Sequence, residues 1–277
     1  MRDRTAIVVL GMHRSGTSSV AGALSILGAA SPRTLMPAAE DNPKGFWESQ
    51  VLMTFHDKLL EAGESNWRDW RLFDLPGVLD RRPEFLLEAR ERLDEEFGGQ
   101  KLIVFKDPRL CRFFPLWEQV LEDAGYRIVV VTPLRSPTEV AASLIARNAM
   151  SIEQACRLWL RHVLSSERAS RGHPRLFVEW SDFLQNWRGS AQRMQVSLEL
   201  DLDLDNVQRG RAVDEFLTTD LKRQSPISSY STEWIDAAFR VLIGMAQSDE
   251  TEEDRAQLDE LRWAFDQACL VFADAPR

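Results

Sequence analysis

A strand, a glycine-rich turn and a helix are predicted in direct succession near the start of the sequence. The β-branched run Thr5–Leu10 predicts a short buried strand, the turn Gly11–Ser18 follows it, and helical periodicity extends over Thr17–Leu27. A glycine turn between a strand and a helix points backbone N–H groups and the positive end of the helix dipole at one spot. The pattern therefore predicts an anion site; a tight turn with a surface arginine, Arg14, is the alternative.

Further β-branched runs, each followed by a turn and a helical pattern, are Lys101–Phe105, Arg127–Thr132 and the weaker Arg175–Trp180. This alternation predicts an α/β fold with a parallel sheet flanked by helices. The later helices are predicted at Phe46–Ala62, Arg82–Phe97, Phe113–Ala124, Pro137–Asn148, Ser151–Ser170, Ser181–Leu198, Ala212–Leu217, Thr232–Ala246 and Glu252–Phe272. We expect one domain over residues 1–277, with a core over about 4–200 and a helical C-terminal cap over about 206–277.

Composition excludes several classes of protein. The net charge of −9 argues against a partner that is nucleic acid, because such binding normally needs a basic surface. No apolar stretch approaches the roughly 20 residues that span a bilayer, so no transmembrane segment is expected. The three cysteines are odd in number and widely spaced, which argues against a disulfide framework and fits a reducing compartment. We expect a cytoplasmic protein.

The spacing from Gly11 to Ser18 matches the phosphate-loop pattern GxxxxGK[ST], except that Thr17 replaces the lysine. This predicts a P-loop NTPase-like sheet. An ATP-dependent small-molecule kinase would lack the cation that reaches the β and γ phosphates, and Arg14 is the substitute cation. We keep two alternatives to the function that the motifs indicate together. One is such a kinase, and the other is a nucleotide-binding module without catalytic activity.

A second anion site is predicted after the third strand. Arg135 ends that strand, and Ser136 with Glu139 predicts a capping box that begins the next helix at Pro137. Ser143 lies about two turns further on, on the same side of the helix, so it and Arg135 can converge on one ligand. The alternative is an arginine near a helix start with a serine that faces solvent.

Charged groups also follow the second strand, in the block Lys106–Arg109, at the edge where parallel sheets place their ligands. A solvated ion pair between Asp107 and Arg109 is the alternative there. Glu48 is predicted to begin a helix and to share the apolar face of that helix with Leu52. Burial on this face would raise the pKa of its carboxyl group. A first-turn glutamate that is favoured by the helix dipole is nearly as good an interpretation. No histidine and carboxylate cluster has the spacing of a metal site.

The segment Arg14–Ser18, together with the later blocks over roughly residues 5–190, resembles the sulfotransferases that use 3′-phosphoadenosine 5′-phosphosulfate (PAPS). The resemblance implies that Arg14, Ser15 and the N–H groups of Gly16, Thr17 and Ser18 hold the 5′-phosphosulfate. It implies that Arg135 and Ser143 bind the 3′-phosphate. Lys222 and Arg223 resemble the later basic segment that closes over this phosphate.

The same resemblance implies transfer of the sulfuryl group, without a metal, to a hydroxyl that we expect on a carbohydrate or small molecule. Lys106 would contact the sulfuryl group, and Arg109 would line the acceptor side. Glu48 is the first choice for the general base, because the block Asn42–Glu48 is similar to one in bacterial members of the family. Glu40, Asp41 and His13 are the further candidates for the general base. Asp41 and Trp47 are predicted to contact the acceptor.

Overall fold

The computed structural model describes residues 4–40, 42–218 and 232–272. Its sheet consists of parallel strands in the order β2-β1-β3-β4. The strands are β1 (Arg4–Val9), β2 (Leu102–Lys106), β3 (Tyr126–Leu134) and β4 (Arg175–Glu179). Each of the predicted strands is therefore present, and the α/β fold class with a parallel sheet is confirmed.

Helices cover both faces of this sheet. They are α1 (Thr17–Ile26), α2 (Gln50–Ala62), α3 (Leu75–Arg81), α4 (Glu84–Phe97), α5 (Leu110–Asp123), α6 (Pro137–Asn148), α7 (Ile152–Ser170), α8 (Trp180–Gln185), α9 (Trp187–Ser197), α10 (Val207–Phe216), α11 (Glu233–Gln247) and α12 (Glu252–Val271). Beyond β4 the described residues contain helices alone as regular elements, in agreement with the predicted helical cap.

The central strand shows why both faces of the sheet are covered. Ala6 and Val8 point into a core formed with α2, α4 and α5, whereas Ile7 and Val9 point into a core formed with α1, α9 and α10. All four side chains are fully buried. A third core packs α6, α7, α11 and α12 together, in which α11 contacts both α7 and the edge strand β4, and α12 packs against α11.

Several predicted boundaries were wrong. Helix α2 begins at Gln50 and not at Phe46, because the Ser49 side chain accepts a hydrogen bond from the Leu52 amide and caps it. Helix α3 was missed: its N-cap, Asp74, accepts a hydrogen bond from the amide of Gly77 in a stretch that has no helical periodicity of its own.

The region after β4 and the start of α5 also differ from the prediction. The single helix predicted over 181–198 is broken at Asn186, whose side chain caps α9. Helix α10 begins at Val207, five residues before the predicted start, because Asn206 caps it. Helix α5 begins at Leu110, so its Pro115 lies inside the helix.

All three cysteines are buried and unpaired. Within the part of the chain that the structure describes, none of the helices has both the length and the apolar content needed to cross a bilayer.

Candidate active site

The carboxyl ends of all four strands meet at one edge of the sheet, and the segments that follow them surround a single cavity. Its walls come from the loop after β1, the block after β2, the start of the segment after β3 and the residue after β4, together with residues 42–48 and one side chain of α6. The lining residues are His13, Arg14, Gly16, Thr17, Ser18, Ser19, Asn42, Pro43, Phe46, Glu48, Lys106, Pro108, Arg135, Arg147 and Trp180. This is the edge where open parallel sheets bind ligands.

The loop after β1 has the backbone conformation of an anion cradle. Arg14 and Gly16 both have positive φ, at 67° and 91°, and α1 starts directly after Gly16 without a hydrogen bond from a capping side chain. The first N–H groups of α1 therefore face the cavity without a capping group. A Cβ on residue 16 would lie 2.0 Å from the Trp180 ring, so glycine is required here by space as well as by φ.

The two predicted anion-binding groups lie side by side. Arg14 Nε donates a hydrogen bond to Ser143 Oγ at 2.7 Å, and Arg135 Nη1 donates to the Arg14 carbonyl oxygen at 3.2 Å. The Arg135 guanidinium also lies over the Trp180 ring, 4.1 Å from its centroid. The structure thus brings Arg14, Arg135 and Ser143 into one site, although 121 residues separate the two arginines.

The predicted capping box at the start of α6 is wrong. Ser136 makes no capping hydrogen bond and pairs with Thr138 Oγ1 instead, while Glu139 forms a buried ion pair with Arg135 Nε at 2.8 Å. Pro137 still occupies the first turn. Glu139 therefore orients the Arg135 guanidinium. Within the described residues, Arg135 Nη2 and Ser15 Oγ are buried without a hydrogen-bond partner; Arg135 lines the cavity, so an anion bound there could satisfy its Nη2.

Lys106 and Glu48 form a buried ion pair on the opposite wall. The Lys106 ammonium donates to Glu48 Oε1, to Ser18 Oγ at 3.2 Å and to the Phe46 carbonyl oxygen at 3.1 Å. Glu48 is buried although it precedes α2, so the prediction that it lies on a helical face was wrong. Burial raises the pKa of Glu48, and the Lys106 charge opposes part of that rise. Glu48 can therefore accept a proton more readily than an exposed glutamate.

Arg109 lies behind this pair and does not line the cavity. Its guanidinium contacts Asp107 at 3.1 Å and Asp57 at 2.9 Å. Asp107 in turn lies 3.1 Å from His56 Nδ1, and the Trp117 indole N–H donates to His56 Nε2 at 2.8 Å. Burial alone would raise the pKa of Asp107, but Arg109 and His56 hold it well below the usual aspartate range. The predicted Asp107–Arg109 ion pair is present, but it is buried and not solvated.

His13 belongs to the loop after β1 and lines the cavity. Its ring packs against Trp67, with centroids 4.9 Å apart, and against His162, with centroids 6.0 Å apart. Burial, with smaller contributions from Arg109 and His162, lowers the pKa of His13 well below its usual value. His13 is therefore a neutral base at physiological pH, and its Nε2 is buried without a partner among the described residues.

The remaining predicted site residues lie elsewhere or outside the described residues. Trp47 packs edge-on against Phe216, and its Nε1 donates to the Lys44 carbonyl oxygen, so it contributes to the core beside α1 and α10 and not to the cavity wall. Glu40 is exposed. The predictions for Asp41, Lys222 and Arg223 fall outside the described residues.

Trp180 and Arg147 are among the lining residues that were missed from the sequence. Trp180 directly follows β4, so its position at the carboxyl edge of the sheet was the available signal. Arg147 lies one helical turn beyond Ser143 on α6, and the i,i+4 spacing places both on one face. Arg147 adds a third arginine to Arg14 and Arg135, and with Lys106 the cavity has four cations against the carboxylate of Glu48. This local positive charge contrasts with a chain of net charge −9.

Within the described residues no group of three histidine, cysteine or acidic side chains is placed to hold a metal ion.

Comparison with solved structures found sulfotransferase domains among the chains that are similar to this one. No protein-family model matches the chain, and no curated protein matches it. The sulfotransferase domain of the Synechococcus PCC 7002 olefin synthase is 15% identical, with a TM-score of 0.47 over 90% of this chain and 96% of that domain. A sulfotransferase domain from the curacin biosynthetic pathway is 12% identical, with a TM-score of 0.44 over 90% and 99% of the two chains. Both TM-scores lie below 0.5, so the case for a function rests on the residues of the cavity.

Proposed function

We propose that the chain is a sulfotransferase that moves the sulfuryl group of PAPS to an acceptor hydroxyl and leaves adenosine 3′,5′-bisphosphate. The observation that carries the proposal is the pair of contacts that joins the phosphate loop to the end of β3, from Arg14 to Ser143 and from Arg135 to the Arg14 carbonyl. These contacts support the proposal, because a nucleotide with phosphates at both its 5′ and 3′ positions needs two sets of anion-binding groups close to each other.

The first set would hold the 5′-phosphosulfate. The uncapped N–H groups of Gly16, Thr17 and Ser18 would bind its oxygens, and Arg14 would neutralise the charge that develops on the leaving phosphate. The second set would hold the 3′-phosphate, with Arg135 Nη2 and Ser143 Oγ as donors. Adenosine 5′-triphosphate has no group for this second set.

In the transfer step, the acceptor oxygen forms a bond to sulfur as the bond between sulfur and the 5′-phosphate oxygen breaks. Lys106 would stabilise charge on the sulfuryl oxygens from its position between Ser18 and Glu48. The Glu48 carboxylate would take the proton of the acceptor hydroxyl, and burial raises its pKa and so favours this protonation. His13, a neutral imidazole that also lines the cavity, is the alternative base. The acceptor is expected to be a carbohydrate or small molecule, and Arg109 would act on it through Glu48, from which its Nη1 is 4.0 Å.

Thermal-shift measurements with two nucleotides test the donor. A ligand at about 100 times its dissociation constant stabilises a protein by roughly 2.7 kcal/mol. We expect adenosine 3′,5′-bisphosphate to raise Tm by several degrees and ATP to have little effect. Arg135→Ala should abolish the response, whereas the exposed Arg211→Ala should preserve it. A response to ATP alone would contradict the proposal and favour the kinase. An unchanged bisphosphate affinity in Arg135→Ala would also contradict the proposal, because Arg135 would then not bind the 3′-phosphate.

Turnover with labelled PAPS and a panel of hydroxyl acceptors distinguishes an enzyme from a binding module. Glu48→Gln should keep the bisphosphate response and lower turnover by roughly 100-fold or more. His13→Asn is the matched variant for the alternative base. If Glu48→Gln retains full turnover and His13→Asn does not, the proton passes to His13. If both bind and turn over normally, neither residue is the base.

A further inference from the structure

A second cavity lies away from the sheet edge, between the segment that contains α3 and the helices α5, α7 and α12. Its volume is about 540 Å³, within the usual range for small-molecule sites. None of its lining residues lines the candidate active site. One wall is apolar and includes Leu72, Phe73, Leu75 and Leu79.

The lining of this cavity also carries an excess of positive charge. Four arginines and two aspartates line the cavity, a local net charge of +2 in a chain of net charge −9. Arg161 and Arg262 share the carboxylate of Asp266, at 2.7 and 3.4 Å. Arg112 and Arg168 have no carboxylate within ion-pair distance among the described residues. The cavity therefore contains more cationic groups than its own carboxylates neutralise.

Arg112 is the group that points to a ligand. Its side chain is 8% exposed, and its guanidinium donates to two backbone carbonyls, those of Asn66 at 3.3 Å and Arg71 at 3.2 Å. The guanidinium also lies over the Phe73 ring, 5.2 Å from its centroid, and it is attracted by Asp69, whose carboxylate pairs with Arg71. A buried guanidinium without a carboxylate at ion-pair distance is costly, because the desolvation of its charge is only partly compensated. Burial accordingly lowers the pKa of Arg112 to about 10. A bound anion would supply the missing charge.

We infer that this cavity binds an amphipathic organic anion, with a carboxylate against Arg112 and an apolar chain along Leu72, Phe73 and Leu79. The lining residues determine this class of ligand. A purely apolar ligand would leave Arg112 without a carboxylate partner. A small inorganic anion would leave the apolar side chains Leu72, Phe73 and Leu79 in contact with water. Arg168, exposed at the cavity, adds a second cation at the entrance.

Calorimetric titration of the full chain with octanoate, octan-1-ol and acetate tests the inference. These probes separate the two contributions, since octanol has the chain without the charge and acetate has the charge without the chain. We expect octanoate to bind at least about tenfold more tightly than either, because a hydrogen bond between charged groups and burial of a short alkyl chain each contribute a factor of this order. Equal affinities for octanoate and octanol would overturn the inference.

A matched pair of exposed leucines locates the binding. Leu72 is 50% exposed and adjoins Arg71, whose carbonyl accepts from Arg112, whereas Leu87 is 59% exposed and lines neither cavity. Leu72→Asp should weaken octanoate binding by about tenfold or more through charge repulsion and loss of apolar surface, and Leu87→Asp should leave it unchanged. Because both side chains are exposed, neither substitution should prevent folding.

Two further variants complete the test. Arg112→Met keeps the aliphatic stem and removes the charge, so octanoate should bind no better than octanol. Should Arg112→Met not fold, the result with Leu72→Asp decides the question alone. Arg135→Ala should leave octanoate binding intact, and a loss of binding in that variant would place octanoate in the candidate active site and refute the second site. Unchanged binding in Leu72→Asp would refute it as well.

Discussion

Removal of the Lys106 side chain should destabilise the protein in a way that depends on pH. Lys106→Met deletes the cation that faces Glu48 and the hydrogen bonds to Ser18 and the Phe46 carbonyl. The Glu48 carboxylate, with 7% of its side chain exposed, is then left with Arg109 at 4.0 Å as its nearest cation. Breaking a buried ion pair by removing one partner costs about 3–5 kcal/mol. Because Arg109 remains, we expect about 3 kcal/mol, or roughly 6–12 °C in Tm.

The pH dependence of this loss identifies its cause. Burial already raises the pKa of Glu48 in the folded protein, and loss of Lys106 raises it further, whereas the unfolded chain keeps the ordinary value of about 4.3. The unfolded chain titrates identically in both proteins, so Glu48 makes no pH-dependent contribution to the loss while both folded proteins keep its proton. Once pH exceeds the raised pKa of Glu48 in the folded wild type, that protein ionises Glu48 against Lys106, whereas the variant must keep the proton or bury an unpaired charge. The loss then grows by at most about 1.4 kcal/mol per pH unit.

Urea unfolding of four proteins at about pH 5 and about pH 8 measures these quantities: the wild type, Lys106→Met, Glu48→Gln and the double variant. We expect the loss in Lys106→Met to be larger at the higher pH, and the double variant to be more stable there than Lys106→Met alone, since it has no carboxylate to bury. A loss in Lys106→Met that is the same at both pH values would refute the reasoning, because the hydrogen bonds to Ser18 and Phe46 do not titrate.

Three other substitutions give separate tests of the site. Gly16→Ala should cost about 1–3 kcal/mol in urea unfolding, because the new Cβ would collide with Trp180 at a positive φ, and a neutral result would contradict the packing. Ser143→Ala should weaken adenosine 3′,5′-bisphosphate by about tenfold in calorimetry with little change in Tm, and an unaltered affinity would remove Ser143 from the site. His56→Ala should cost about 2–4 kcal/mol in thermal unfolding, because Asp107 loses a buried partner; a cost below about 1 kcal/mol would show that water replaces the ring.

The sheet and the principal cations of the site could be predicted because their signals are local. Each strand is a short β-branched run. Arg14 lies in the loop after β1, Lys106 is the last residue of β2 and Arg135 directly follows β3. Since the carboxyl ends of parallel strands share one edge, the convergence of these side chains follows from the strand pattern alone. The order of the strands and the contact from Arg14 to Ser143 depend on packing between distant segments, which local periodicity does not contain.

The errors have the same physical origin. Glu48 has the residue type and position of a first-turn glutamate, but Ser49 has a better capping geometry and begins the helix after it. Ser136 and Glu139 have the spacing of a capping box, yet Arg135 offers Glu139 a charged partner, and a buried ion pair replaces the cap. In each case a neighbour competes for the same side chain, and only the folded structure shows which interaction is formed.

The indole of Trp180 has a consequence for selectivity. It fills the space beside Gly16, donates to Ser19 and lies under the Arg135 guanidinium, so one rigid ring packs against both the loop after β1 and the arginine after β3. Because Arg135 also donates to the Arg14 carbonyl, the ring supports the two arginines in their contact with each other. A smaller residue at position 180 would let both groups shift, and the protein would then be expected to discriminate less sharply between nucleotides that differ in the spacing of their phosphates.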